Sequence, residues 1–114
     1  MPYIHTTTTV KLTDTKKDAL AKRFGKAITL IPGKTEAHLM LGFQDETPMY
    51  FAGKNDAPMA FFEVKILGTS TKEHFSALTA ELCTIMEEEL GISGDCVYVE
   101  YVEATHWGWN GSNF

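Results

Sequence analysis

Residues 20–33, LAKRFGKAITLIPG, and residues 78–91, LTAELCTIMEEELG, decide the fold of this chain. Each stretch places apolar side chains at helical spacing and ends on a glycine. Pro32-Gly33 is expected to stop the first helix, and Leu90-Gly91 fits a left-handed C-cap at the end of the second. A single offset of 58 positions aligns three pairs in the two stretches: Leu20 with Leu78, Phe24 with Leu82, and Gly33 with Gly91. Two helices in register indicate that the chain is a tandem repeat.

Strand-like segments flank both helices. Residues 4–10 and 60–67 precede them, and residues 38–43 and 97–102 follow them. Within 60–67, Phe62, Val64 and Ile66 alternate with more polar neighbours, as in a strand with one buried face. We therefore predict an α+β fold, a tandem βαβ repeat with right-handed crossovers. It forms one four-stranded mixed sheet with both helices on one face, plus short edge strands.

The starts of the helices carry capping signals. The first helix is expected to begin near Thr13 or Thr15. For the second, Ser70-Thr71-Lys72-Glu73 fits a capping box, in which the serine and the glutamate satisfy each other's backbone amides. This pattern predicts Ser70 as the N-cap.

Length and charge limit the class of protein. The 114 residues predict one domain, 1–114, with pseudo-repeats of about 1–57 and 58–114. The net charge of −5 and the scattered basic residues argue against a nucleic-acid partner. No apolar run approaches the ~20 residues of a membrane helix, and no signal peptide is evident, so we expect a cytoplasmic location and no membrane partner. The histidines and cysteines lack metal-ligand spacing, so no metal is expected.

Two helices leave the other face of the sheet uncovered. That face combines polar residues such as Thr7 and Lys65 with the apolar Phe61, Leu67 and Tyr98. An exposed apolar patch usually meets a partner, and self-association is the simplest way to cover it.

Pro2 follows the initiator methionine directly. One interpretation is structural, because proline is tolerated at the first residue of a strand. The other is chemical. Removal of Met1 would expose a secondary amine, a base or nucleophile held on a rigid strand.

Several short motifs, in this order and at these spacings, resemble the tautomerase superfamily, specifically its macrophage migration inhibitory factor branch. The resemblance spans essentially the whole chain, and its motifs are Met1-Pro2, Pro32-Gly33-Lys34, residues 49–53 (MYFAG), Ile66-Leu67-Gly68, residues 97–101 (VYVEY) and residues 107–114 (WGWNGSNF). It implies a homotrimer with active sites between neighbouring subunits.

The resemblance implies cofactor-independent keto–enol tautomerisation of an aromatic α-keto acid such as phenylpyruvate, with dopachrome-like compounds as artificial substrates. Pro2 would be the base, and Lys34 would lower its pKa and hold the substrate carboxylate. Tyr98 of an adjacent subunit would contact the substrate or polarise its oxygen. The plainer interpretations are a solvated Lys34 after a helix end and a Tyr98 that is an ordinary strand aromatic.

The remaining site residues implied by the resemblance bind the substrate. The backbone amide of Leu67 would donate to its polar end, while Trp107, Trp109 and Phe114 would enclose its ring, with interface packing as the alternative for these three. His38 would lie at the rim of the pocket. Glu100 stands where vertebrate members carry asparagine, so it would repel an anionic substrate, orient Tyr98 or select another ligand.

Two other functions are compatible with the sequence. One is a cytokine-like homologue that binds a receptor and retains a vestigial pocket, with non-classical secretion; the other is a ferredoxin-like ligand-sensing domain. The superfamily's thiol-redox motif is replaced here by residues 59–62, MAFF, so no such activity is expected.

Overall fold

Two strand–helix–strand units follow each other along the chain. A computed structural model describes residues 1–114 in full. In the first unit, β1 (Pro2–Thr8) leads to α1 (Asp14–Ala27) and β2 (Met40–Gln44). In the second, β3 (Ala60–Leu67) leads to α2 (Lys72–Leu90) and β4 (Val97–Ala104). A hairpin of β5 (Gly108–Trp109) and β6 (Ser112–Asn113) follows.

The four long strands form one mixed sheet in the order β2-β1-β3-β4. The outer pairs, β1 with β2 and β3 with β4, are parallel, whereas the central pair β1 and β3 is antiparallel. The predicted α+β fold with a tandem βαβ repeat and a four-stranded mixed sheet is confirmed.

The hydrophobic core lies between one face of this sheet and the two helices. Side chains alternate between buried and partly exposed along both β1 and β3. Ile4, Phe62 and Val64 contribute the buried side of the strands, and all three are fully buried. The helical stripes predicted from the sequence meet them, and burial of this apolar surface is the main force that holds the helices on the sheet. The stripes comprise Leu20, Phe24, Ile28, Leu78, Leu82 and Met86. Neither helix combines the length and the apolar composition needed to cross a bilayer.

The 58-residue offset also relates the short turns of the two units. The 3-10 turns Glu36–His38 and Gly94–Cys96 are 58 positions apart. So are two tight turns with positive φ at both central residues, Ala52-Gly53 (φ 53° and 76°) and Asn110-Gly111 (φ 52° and 88°). Each of these turns closes a short antiparallel pair, Phe51 with Lys54 and Trp109 with Ser112.

The capping prediction for α2 is wrong by one residue. Thr71, not Ser70, is the N-cap, because its extended backbone (φ −104°, ψ 159°) directly precedes the first helical residue. The Thr71 hydroxyl accepts a hydrogen bond from the His74 amide at 3.2 Å. Ser70 Oγ instead lies 3.1 Å from His74 Nδ1. Glu73 is therefore one position too early to close a capping box.

Strand ends also differ from expectation. β1 begins at Pro2 rather than Ile4, because Pro2 pairs with Ile66 of β3. β2 begins at Met40, since Glu36–His38 form a 3-10 turn. The first helix ends at Ala27 and continues as a 3-10 turn, Ile28–Leu30, before the predicted stop at Pro32-Gly33.

Candidate functional site

A cavity of about 740 Å³ opens at the end of the sheet where β1 begins. Four separate parts of the chain form its wall because the register aligns Tyr3 with both Met40 and Lys65. The wall consists mainly of apolar side chains, and it comprises Met1, Pro2, Tyr3, residues 37–40, Lys65 and residues 107–109. The sheet therefore brings Pro2 together with His38, Trp107 and Trp109.

Pro2 occupies the first position of β1 and is buried. Its nitrogen is an amide in the chain that carries Met1. The Met1 carbonyl accepts a hydrogen bond from the Leu67 amide at 3.1 Å. The N–H expected to donate to a substrate is thus already paired while Met1 is present.

Lys34 follows Gly33, whose φ of 82° turns the chain away from the end of the first helical segment. The Lys34 side chain is half-buried, whereas a lysine that simply follows a helix end would be exposed. Lys34 Nζ donates to the Leu67 carbonyl at 2.8 Å, so Leu67 links both Lys34 and Met1 to β3.

The electrostatics at the start of the chain favour an uncharged amine. Burial is the larger cause that lowers the pKa of the Met1 amine below its ordinary value, and the positive charge and hydrogen bonding of Lys34 lower it further. Both effects disfavour the ammonium form. An amine held at this place is therefore a better base near neutral pH than a free chain terminus.

Aromatic side chains form one side of the site. The rings of His38 and Trp109 meet edge to face with centroids 6.2 Å apart. Phe114 stacks on Trp109 with centroids 6.4 Å apart and nearly parallel planes, and its amide donates to the Trp107 carbonyl at 3.0 Å. Phe114 does not line the cavity itself, and it contacts the wall through Trp109. Trp109 and Phe114 remain 57% and 64% exposed, so the aromatic side is open to solvent or to a partner.

Tyr98 and Glu100 lie away from this cavity within one chain. They pair with Phe61 and Glu63 on β3, whereas Pro2 pairs with Ile66 at the other end of that strand. The five steps from Phe61 to Ile66 correspond to roughly 16 Å of strand, and the three steps from Glu63 to Ile66 correspond to roughly 10 Å. A single chain does not bring Tyr98 and Glu100 to Pro2, so their expected roles require a second copy.

Lys65 and Tyr3 are cavity residues that the sequence analysis did not assign to the site. Alternation along the strands had placed Lys65 on the uncovered face. It could not show that this residue faces Tyr3 beside the start of β1, because that depends on the antiparallel register. Lys65 is the only fixed-charge side chain in the cavity wall.

The sheet, the cavity and the proline at its wall together define a protein with a tautomerase-type fold. The family described as macrophage migration inhibitory factor (MIF) matches residues 1–114. The chain therefore belongs to the macrophage migration inhibitory factor family, within the tautomerase superfamily.

Individual relatives agree with this assignment. The macrophage migration inhibitory factor of Mus musculus is 31% identical over 86 residues, which cover 72% of each chain. The crystal structure of Leishmania major MIF2 superposes with a TM-score of 0.92 at 33% identity, and it covers 100% of this chain and 97% of its own. A homologue from Prochlorococcus marinus gives a TM-score of 0.80 at 28% identity, with 98% of both chains covered.

Proposed function

We propose that this protein is a cofactor-independent keto–enol tautomerase of aromatic α-keto acids such as phenylpyruvate, with dopachrome-like compounds as further substrates. Pro2 is the general base after Met1 is removed. The observation that carries the proposal is the position of Pro2, buried in the cavity wall next to Met1, whose amine has its pKa lowered by burial and by Lys34.

The reaction is a movement of one proton. The Pro2 nitrogen accepts a proton from the carbon between the ring and the keto group. The carbon–hydrogen electrons then form a carbon–carbon double bond while the π electrons of the keto group move to its oxygen, and that oxygen takes the proton back from the Pro2 ammonium. No atom is lost and no electron acceptor is needed. A base for this step needs a pKa near the working pH, which the burial and the positive charge at this site favour.

Met1 removal prepares the site in two ways. It converts the Pro2 amide into a secondary amine, and it frees the Leu67 N–H from the Met1 carbonyl, 3.1 Å away. The freed N–H and the Lys34 ammonium then bind the substrate carboxylate. Trp107, Trp109, Phe114 and His38 hold the ring and exclude water, which strengthens the attraction between the lysine and the carboxylate.

A second copy completes the site in this proposal. Tyr98 reaches the substrate from a neighbouring subunit of a homotrimer, and Glu100 of the same strand limits which anions are accepted. The uncovered, partly apolar sheet face supports such an assembly. The cytoplasmic location expected from the sequence stays a prediction.

The test compares two preparations of the same chain, one treated with methionine aminopeptidase and one untreated. Mass spectrometry gives the fraction of chains that begin at Pro2. We expect phenylpyruvate tautomerisation to rise in proportion to that fraction. If chains that retain Met1 are as active as chains that begin at Pro2, the Pro2 amine is not the base.

A substitution provides the second arm. Pro2→Gly keeps a terminal amine but loses the ring that presets its position and basicity. We expect a loss of about tenfold, smaller than the ~10²–10⁴-fold that a general base contributes because the variant keeps a terminal amine. Ala57→Gly, in the exposed segment before β3, is the matched control and should leave the rate unchanged.

A signalling or binding protein with a vestigial pocket is the alternative function. An amide at Pro2 and a paired Leu67 N–H, as in the chain that carries Met1, are compatible with binding but not with base catalysis. Turnover close to the wild-type rate in Lys34→Ala, or no turnover in fully processed protein, favours this alternative.

A further inference from the structure

Besides Lys34, the site contains a second cation, Lys65, which the proposed proton transfer does not use. It projects from the partly exposed side of β3, opposite Tyr3 of β1 and Val102 of β4. Its side chain contributes to the same wall as Pro2 and Trp109. The positive charge of Lys65 therefore faces the space that a substrate would fill.

No carboxylate neutralises this lysine within the chain. The five ion pairs of the structure do not include Lys65. Glu63, the nearest acidic residue along β3, instead has its carboxylate 3.3 Å from His5 Nδ1. No acidic residue lines the cavity, although the whole chain has a net charge of −5. Within one chain the cavity is therefore locally cationic, although the chain as a whole is acidic.

Lys34 and Lys65 come from different elements, and only Lys65 lines the cavity. Lys34 reaches the Leu67 carbonyl from the end of the first helical segment, at 2.8 Å, and it is not part of the cavity wall. Lys65 lies two residues before Leu67 on the same face of β3 and belongs to the wall itself. A monocarboxylate held by Lys34 would leave the charge of Lys65 without a counterion.

We propose that Lys65 binds a second anionic group, so that the preferred substrate is an aromatic keto acid whose ring carries an additional carboxylate or an equivalent anion. This inference rests on the proposed function, since it names the substrate class of the same site. Pro2 and Lys34 act on the keto acid end, and Lys65 pairs with the anion at the distal end. The aromatic residues between them hold the ring.

The kinetic test compares phenylpyruvate with its 3-carboxy and 4-carboxy derivatives on processed protein. We expect the kcat/KM of at least one dianion to exceed that of phenylpyruvate by about tenfold. This factor is near the lower end of what a hydrogen bond to a charged group contributes. Lys65→Met should remove this preference, whereas Lys65→Arg should retain it. Lys11→Met removes an exposed charge outside the cavity, and it should retain the preference.

Binding separates this inference from the proposed function. The non-reactive 3-phenylpropanoate and its 3-carboxy and 4-carboxy derivatives can be titrated against the fluorescence of Trp107 and Trp109. If no keto acid turns over but a dianion still binds about tenfold more tightly through Lys65, the tautomerase proposal fails and the second anion site stands. If both dianions bind no better than the monoanion, or Lys65→Met leaves their advantage intact, the inference is wrong.

Discussion

At the scale of single residues, Leu67 connects the positively charged Lys34 to the start of the chain. Its carbonyl accepts from Lys34 at 2.8 Å and its amide donates to Met1 at 3.1 Å. One residue of β3 therefore holds the cation next to the start of the chain. This proximity explains why Lys34, which does not line the cavity, still lowers the pKa of the terminal amine.

The pH dependence of catalysis follows from this contact. The base acts only when uncharged, so kcat/KM should rise with pH through the pKa of the amine and then level off. Burial and Lys34 lower the pKa of the Met1 amine. We expect the same two causes to lower the pKa of the Pro2 amine after processing, which places the rise at lower pH than for a solvent-exposed proline terminus. Lys34→Ala removes the contribution of the charge and leaves burial in place. We therefore expect the midpoint of the pH profile to move to higher pH.

Two readouts keep this prediction separate from a loss of substrate binding. A raised KM alone would reflect the lost carboxylate partner, whereas the midpoint of kcat/KM against pH reports the free enzyme. Lys34→Arg preserves the charge and should keep the midpoint near that of the wild type. A midpoint that stays unchanged in Lys34→Ala would show that Lys34 does not tune the base.

At the scale of elements, equivalent threonines begin the two helices. Thr13 and Thr71, 58 positions apart, each accept a hydrogen bond from the amide three residues later. An N-cap side chain of this kind satisfies an amide that has no partner within the helix. The common position of these caps is a further consequence of the repeat.

Removing the cap of α2 should lower the stability of the fold. We expect Thr71→Ala to reduce the free energy of unfolding by about 1 kcal/mol. Ser70→Ala should cost less than about 0.5 kcal/mol, because Ser70 is not the cap. Thermal or urea unfolding of the two variants measures the difference. If Ser70→Ala loses more stability than Thr71→Ala, then Ser70 is the N-cap, as the sequence pattern predicted.

The order of the elements could be predicted because one offset aligned helices, strands and turn glycines together. The wall of the cavity was predicted only in part. Alternation shows which face of a strand Lys65 occupies, but the pairing of Pro2 with Ile66 determines which part of the cavity that face meets. Tyr98 and Glu100 show the same limitation, since their place at the other end of β3 depends on register.

At the scale of the whole molecule, the sheet has one face without a covering layer. Tyr98 and Val102 of β4 lie on that face and are 59% and 37% exposed. Glu100 lies between them on the same strand and the same face. These three residues form an exposed stripe with two apolar side chains on either side of a charge, and such a surface usually meets a partner. A partner that covers the stripe must do so in an orientation that leaves a place for the Glu100 carboxylate.

The assembly of three copies can be tested on this face. Val102→Asp places a charge where the proposed homotrimer would bury an apolar side chain, so it should give a monomer in light scattering while circular dichroism stays native. Ala77→Asp adds the same charge at an exposed position of α2, on the opposite side of the molecule, and should leave the mass at three chains. Because Tyr98 is far from Pro2 within one chain, the Val102→Asp monomer should also lose most tautomerase activity. A monomeric wild type that turns over phenylpyruvate would mean that one chain supplies the whole site and that Tyr98 has no part in it.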